Sequence, residues 1–246
     1  MSRIITSILV FLALFFPRIT FAAEKLNLYI SDIPGQTMRD RDNPGMALAL
    51  IRKITHRANR DLHEIFLPWS RAIVEMQKDE NGMIAPFTRT HTREDNYQWI
   101  GELYELEFGF VSLDQSINDK EVAKNLNIVG VWRGSSMEEE LIQDGFQNLH
   151  ALVNDKQIIE LFERQRFDAW YGSLIELRAK FKGRKRIGER SIVFGPPVRK
   201  HPVWLASSSH MDSNTVNQLR AAMESLRSEG IIDEILRSYG QIISDR

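Results

Sequence analysis

Apolar residues recur along the chain in two rhythms, every second position in short runs and every third or fourth in longer ones. Leu26 to Ile30 alternates apolar with polar residues and then meets Ser31-Asp32-Ile33-Pro34-Gly35, the pattern of a strand running into a loop. From Gly45 the run MALALIRKITHRA spaces its apolar positions for one helix face, with basic residues toward its far end. The spacing then predicts a strand over Glu64–Leu67, a helix over Arg71–Gln77 opened by Pro68-Trp69-Ser70, a turn over Asp79–Gly82 and a strand over Met83–Phe87.

After a loop rich in Thr and Arg, Glu107–Leu113 is predicted to be extended. Asn127–Trp132 reads as a buried strand ending at Arg133-Gly134-Ser135-Ser136. Glu138, Glu139 and Glu140 follow in the first turn of a helix, where carboxylates suit the dipole, so the serines occupy a helix N-terminus. Lys156–Arg164 is amphipathic, Arg166–Tyr171 reads as a strand, and a helix starts near Ser173. The basic stretch Lys180–Arg190 reads as a solvated turn, and Ser191–Phe194 as a return connection closed by Gly195-Pro196-Pro197. Val203–Ser207 is a further strand, and Thr215–Tyr239 holds two helices broken near Glu229-Gly230. Strands alternating with helices predict α/β layers with mostly parallel sheets. The extended passages Glu107–Leu113 and Ser191–Val198 bracket a middle segment with enough strands and helices to form its own lobe.

The N-terminus changes the expected compartment. Met1-Ser-Arg, the apolar run Ile4–Phe16 and the small-residue exit Thr20-Phe21-Ala22 have the layout of a signal peptide over residues 1–22, with cleavage expected after Ala22 or Ala23. A single membrane anchor is the alternative, but the apolar run falls short of the roughly 20 residues a bilayer core demands. The rest of the 246 residues suits one large domain or two lobes of about 100 each. Charge is balanced at 32 basic and 33 acidic residues, which gives no reason to expect nucleic acid. Cysteine is absent, which removes thiol catalysis and cysteine metal sites and leaves stability to the apolar core.

Candidate chemistry concentrates in Met83–Gly101, MIAPFTRTHTREDNYQWIG, where Thr88, Arg89, Thr90 and Arg93 lie close together. A guanidinium presents planar, fork-like donors suited to a carboxylate, and neighbouring hydroxyls add donors to the same oxygens. Arg93 grips an anion or pairs on the surface with Glu94 or Asp95; Arg89 faces outward or reaches the rim of a cleft. Trp69 is a core aromatic or a ligand cover, Arg71 a second anion contact or a helix-face charge. Ser135 and Ser136 cap a helix, a role that uses the same exposed N–H groups as anion binding. Asp168, just before the run AWY, reads as structural. The six histidines show no metal-ligand spacing, so neither a metal nor a cofactor is expected. No nucleophile elbow, dinucleotide fingerprint or phosphate loop appears, and no catalytic residue is assigned.

The order of these pieces resembles the family 3 periplasmic solute-binding proteins over nearly the whole mature chain. The resemblance is carried by the opening strand with Asp32, the Gly45 helix, Pro68-Trp69-Ser70-Arg71-Ala72, and TRTHTRE before Trp99-Ile100-Gly101. VGVWRGSS, FDAW and ESLRSEGIIDEILRSYG complete it. It implies an α/β, two-lobed type II periplasmic-binding-protein fold with two hinge strands, lobe 1 over residues 23–108 and 195–246 and lobe 2 over 109–194. By the same resemblance Thr88 and Arg93 clamp a ligand carboxylate, Trp69 covers the ligand, Asp32 lines the cleft and Pro86 offers a backbone carbonyl. Ser135 and Ser136 donate from the second lobe, and Arg71, Gly172 and Ser173 complete the expected set. The implied function is capture of a small carboxylate-bearing solute, an amino acid or a relative, by a periplasmic monomer that delivers it to an ABC permease in the inner membrane.

One position departs from the pattern. The family usually carries an aspartate for the ligand's ammonium where this chain has Ser173, and a neutral hydroxyl does not offset a buried cation. Asp32, Asp168 and Glu102 are the candidate substitutes, and Trp132, Trp170 and Tyr171 add aromatic surface suited to a flatter ligand. A dehydratase-like enzyme on the same scaffold, with Glu176 as candidate acid, and an orphan sensor lobe are the alternatives.

Overall fold

The computed structural model describes residues 25–153 and 157–240; the expected leader over 1–22 with its cleavage site, Lys156 and residues 241–246 lie outside them. Strand β1 (Lys25–Ile30) buries Leu26, Leu28 and Ile30 on one face. Helix α1 (Met46–Arg57) buries Met46, Ala47, Leu50, Ile51 and Ile54, and its last-turn His56 and Arg57 sit at the negative end of the dipole. Gly45 starts it at φ 85°, where a Cβ would lie 2.4 Å from the Gln36 carbonyl carbon, so only glycine fits. That close approach lets Met46 N donate to Gly35 O and Leu48 N to Gln36 O, which anchors the loop after β1.

Strand β2 (Asp61–Phe66) and helix α2 (Trp69–Gln77) follow. Next come β3 (Gly82–Thr88), a 3₁₀ turn (Glu94–Asn96) and the long strand β4 (Tyr97–Leu113). The middle of the chain gives α3 (Lys120–Lys124), β5 (Val129–Trp132), α4 (Ser136–Gln143), β6 (Leu149–Leu152) and α5 (Ile158–Glu163). It continues with β7 (Ala169–Ser173), α6 (Leu174–Lys180), β8 (Arg186–Ile187) and β9 (Arg190–Phe194). Strand β10 (Arg199–Ser208) and helices α7 (Ser213–Ser228) and α8 (Ile231–Ser238) close the described chain.

The strands run in the order β2-β1-β3-β10-β4-β7-β5-β6, with β9 on β4 and β8 on β9. Pairings are parallel around β1 and around β5, and antiparallel wherever β4, β10 or β9 takes part. The expectation of mostly parallel sheets therefore holds only inside each half. The reason is β4, a single strand of 17 residues. Its first part pairs with β10 from Tyr97–Ser208 to Phe108–Arg199, and its last part pairs with β7 and β9. The sequence predicts only Glu107–Leu113 of this strand as extended. Other differences are local: α2 begins at Trp69 itself, α3 and half-buried β6 have no counterpart in the sequence reading, and the end of the basic stretch forms β8, which pairs with β9 along Arg190–Phe194.

Glu140 of α4 ties the middle segment to β10. Its carboxylate meets Lys120 Nζ, His201 Nε2 at 3.3 Å, Arg199 Nε at 3.9 Å and the Tyr171 hydroxyl at 3.5 Å, and Lys120 also pairs with Asp144 at 2.6 Å. Burial alone would raise the Glu140 pKa, but the hydrogen bonds from His201 and Lys120 and the charge of Lys120 outweigh it and hold the group below its usual value. A depressed carboxyl pKa adds stability above the unfolded value of about 4.5 that is lost as pH falls through the folded one. Glu140→Gln should therefore be less stable than the parent at pH 7, by about 1 kcal/mol, and show a shallower loss between pH 5 and 3. Urea melts across that range check it; parallel curves for both proteins would remove Glu140 from the acid response.

Candidate functional site

The C-terminal ends of β1, β3, β5 and β7 open onto one cleft of about 430 Å³, part of it solvent. Ends of parallel strands are where α/β sheets collect ligands, because loops and helix N-termini converge there. One wall carries Ile33 and Gln36 from the loop after β1, Trp69 at the start of α2, Pro86 and Thr88 from β3, and Arg93. Leu106, Phe108 and Val203, on β4 and β10, form the back. Facing them are Trp132, Ser135, Ser136 and Met137 around the start of α4, with Ser173 and Glu176 around the start of α6.

Arg93 is the electrostatic centre of this cleft. It is 9% exposed, donates from Nη1 to Thr88 O at 3.0 Å and from Nη2 to Gly134 O at 3.3 Å, and stacks with Cζ 4.3 Å from the centroid of Phe87. Among the described residues no carboxylate lies within ion-pairing distance of it. Burial pulls its pKa below the usual guanidinium value, opposed by the charge of Glu139 and of Tyr97. An arginine stays protonated regardless, so the cleft holds a desolvated positive charge balanced by carbonyl dipoles and a ring face.

Arg89 behaves differently. It pairs with Glu94, its Nε 2.7 Å from Oε2, and lies between the rings of Trp99 and Trp204 at 5.3 and 5.0 Å. Glu94 is thereby taken up by Arg89 rather than Arg93.

Ser135 is the N-cap of α4: its hydroxyl donates to Trp132 O at 2.6 Å and accepts from Glu138 N at 3.2 Å. Gly134, at φ 72°, makes the turn that brings its carbonyl to Arg93 and its N–H to Glu138 at 2.6 Å. Thr92 and Thr90 donate to Glu139 across the cleft mouth, Thr90 at 3.4 Å. Trp69 and Trp132 stack, ring centroids 6.3 Å apart and planes 20° from parallel. The cleft is thus closed down on itself by an indole pair, a guanidinium–carbonyl contact and hydroxyl–carboxylate contacts.

Three buried polar atoms on the cleft residues have no hydrogen-bond partner among the described residues: Trp69 Nε1, Trp132 Nε1 and Ser173 Oγ. A buried donor without an acceptor costs about 1–3 kcal/mol, and such groups are few in folded proteins. Two more, Asn148 Oδ1 and Trp204 Nε1, lie away from the cleft.

Of the residues singled out in the sequence, Trp69, Pro86, Thr88, Arg93, Ser135, Ser136 and Ser173 line the cleft. Asp32, Arg71 and Gly172 do not. The chain turns at Ser31, whose carbonyl accepts from Thr37 Oγ1, and this swings Ile33 inward while exposed Asp32 accepts from Arg39 N. Helix α2 buries Trp69, Ala72 and Met76, so Arg71 projects outward beside Glu75, 3.7 Å away. Gly172 is packed inside β7, where a Cβ would lie 3.2 Å from Trp170 Nε1. The candidate acids fare likewise: Asp168 accepts from Asn127 N and Ile128 N, and Glu102 is absent from the lining. The carboxylate on the cleft wall is Glu176, 7% exposed and one helical turn beyond Ser173. Of the added aromatics only Trp132 reaches the cleft; Trp170 packs on Phe167 and Tyr171 on Phe110. Gln36, whose Oε1 accepts from the buried Tyr104 hydroxyl at 3.1 Å, was missed, since nothing in its loop sequence marks it.

No protein-family model and no curated protein matches the sequence. Solved structures do match in fold. A histidine kinase sensor domain similar to periplasmic binding proteins superposes with a TM-score of 0.80 at 12% identity, over 91% of this chain and 99% of that one. An ancestral arginine-binding protein bound to arginine gives 0.75 at 19%, over 87% and 97%. An ancestral amino acid-binding protein, a precursor of cyclohexadienyl dehydratase, gives 0.73 at 13%, over 88% and 95%. The chain has the two-lobed type II periplasmic-binding-protein fold with two hinge strands. That is the fold of the family 3 solute-binding proteins.

Ser173 allows a direct test of the orphaned hydroxyl. Ser173→Ala should leave the ligand-free protein unchanged or more stable by up to about 1 kcal/mol, a rise of roughly 2–4 °C in Tm. Thermal melting checks it; a clear fall in Tm would mean that the hydroxyl has a stabilising partner.

Proposed function

We propose that this protein is a solute receptor that captures a small carboxylate-bearing ligand, an amino acid or a close relative, between its two lobes. One observation carries the proposal: Arg93 is buried, positively charged and lacks a carboxylate partner within ion-pairing distance among the described residues. A desolvated guanidinium gains most from a bidentate anion, which restores the charge compensation that two carbonyls provide only in part. In this reading Thr88 and the first-turn N–H groups of α4, beside Ser135 and Ser136, donate to the same anion, and Pro86 offers its carbonyl. Glu176 takes over the counter-charge for a ligand ammonium that Ser173 does not supply. Trp69 covers the apolar part of the ligand.

The lobe limits proposed from the pairing of β4 and β10 are residues 23–108 with 195–246 and residues 109–194. The leader layout of residues 1–22 supports export to the periplasm, where the closed monomer would be read by an ABC permease. The ligand would act by its differential affinity for closed and open forms.

A lyase reading comes second, favoured by Glu176, a buried carboxyl across the cleft from a cationic anchor. It requires that carboxyl to protonate a leaving hydroxyl, and product formation from prephenate tests it.

Thermal-shift measurements on the mature protein with amino acids, keto acids and amines test the main proposal. A native-state ligand at about 100 times its Kd adds about 2.7 kcal/mol to apparent stability. Arg93→Ala should abolish every shift produced by a carboxylate while the unliganded variant still melts cooperatively, and Arg93→Lys should retain only part, having charge without the fork. Full shifts in Arg93→Ala would remove Arg93 from the site.

A further inference from the structure

Among the apolar contacts of the cleft, the indoles of Trp69 and Trp132 stand out, because they come from opposite walls and are nearly parallel. Their centroids are 6.3 Å apart with planes 20° from parallel, and each carries a buried N–H with no acceptor among the described residues. Most ring pairs in the core are tilted or edge-on, as Phe87 is against Tyr97 and Phe162 against Phe167. The other near-parallel pair, Phe87 with Trp99 at 5.7 Å and 18°, comes from β3 and β4 on one wall, whereas Trp69 and Trp132 stack from two. Behind Trp69, Phe87 fixes its tilt at 54° and Arg93 lies on the face of Phe87, so the anchor for an anion and the aromatic plate are braced by one side chain. Trp132 is held by the turn that places Gly134 O on Arg93, so its plate moves with the start of α4.

We propose, resting on the receptor reading above, that Trp69 and Trp132 are the two plates of a jaw that selects a planar, π-bonded carboxylate. An aromatic or heteroaromatic acid would replace the indole–indole contact with its own ring. A ring between two plates needs them about 7 Å apart, two van der Waals gaps. The centroid distance sets an upper bound of 6.3 Å on the present spacing, so the plates must part by at least about 0.7 Å to admit a flat group. A tetrahedral aliphatic chain is thicker and forfeits contact on both faces. The two indole N–H donors and the Ser173 hydroxyl further favour ring-edge acceptors, a ring nitrogen or an ortho oxygen, which would satisfy atoms left without partners in the closed protein. The carboxylate of such a ligand lies in the ring plane or one bond from it, within the fork of Arg93.

Calorimetric titration of the mature protein with matched pairs tests this: L-phenylalanine against L-cyclohexylalanine, phenylacetate against cyclohexylacetate, and nicotinate against nipecotate. The aromatic partner of each pair should bind at least about tenfold more tightly. In Trp132→Leu that preference should fall to about twofold or less, whereas Trp132→Phe, which keeps a plate and is the safer variant for folding, should retain most of it. Equal or tighter binding of the saturated partners overturns the jaw and leaves the receptor reading standing. So does a preference that survives intact in a folded Trp132→Leu. Failure of these acids, and of the aliphatic amino and keto acids, to bind at all overturns both.

Discussion

A positive charge stripped of water sets the terms for the rest of the cleft. Arg93 sits on the ring of Phe87, steadied by the carbonyls of Thr88 and Gly134, and each contact depends on a different stretch of chain. Phe87 is placed by β3, Thr88 by the end of that strand, and Gly134 by the turn between β5 and α4. Carbonyl dipoles and a ring quadrupole compensate a buried cation less fully than a carboxylate would. The long strand β4 and its partner β10 permit such a compromise, since they hold both halves of the sheet in one hydrogen-bonded frame while the cleft residues sit on loops and helix starts.

The unpartnered polar atoms point to the same economy. A core optimised for stability alone would not place two indole N–H groups and a hydroxyl where no described residue accepts or donates, nor leave a guanidinium with no anion in ion-pairing distance among those residues. Three of the five unpartnered buried atoms, and the guanidinium, lie around one cleft, where Glu176 adds the opposite sign. Rigid packing elsewhere offsets their cost: Leu26, Leu28 and Ile30 of β1 and Ile51 and Ile54 of α1 are almost completely buried in one cluster, and a second includes Phe87, Phe162 and Trp170.

What the sequence made legible was what local chemistry decides. Thr88 and Arg93 at the end of a strand, and serines ahead of three glutamates at a helix start, announce themselves through residue types whose roles depend on a few neighbours. Asp32 and Arg71 were grouped with them by position in the chain. Whether a side chain at such a position faces inward is settled by a single turn, at Ser31, or by the phase of one helix, α2. Gln36, Leu106, Phe108 and Val203 gave no signal, because a residue on a cleft wall and one in a core look alike until the two halves are set against each other. Glu176 was noticed only for its nearness to Ser173, and its direction came from the helix it begins. The continuity of β4 is not visible in the sequence because the expected strand covers only Glu107–Leu113, although the ladder to β10 starts at Tyr97.

The indole pair has one more consequence. Two stacked chromophores share their excited states, so their near-ultraviolet circular dichroism and emission depend on how far apart they stand. Of the five tryptophans, Trp69 and Trp132 are the two that meet from opposite walls. Were the walls to part as proposed, the pair would report it optically, without a dye or an introduced cysteine.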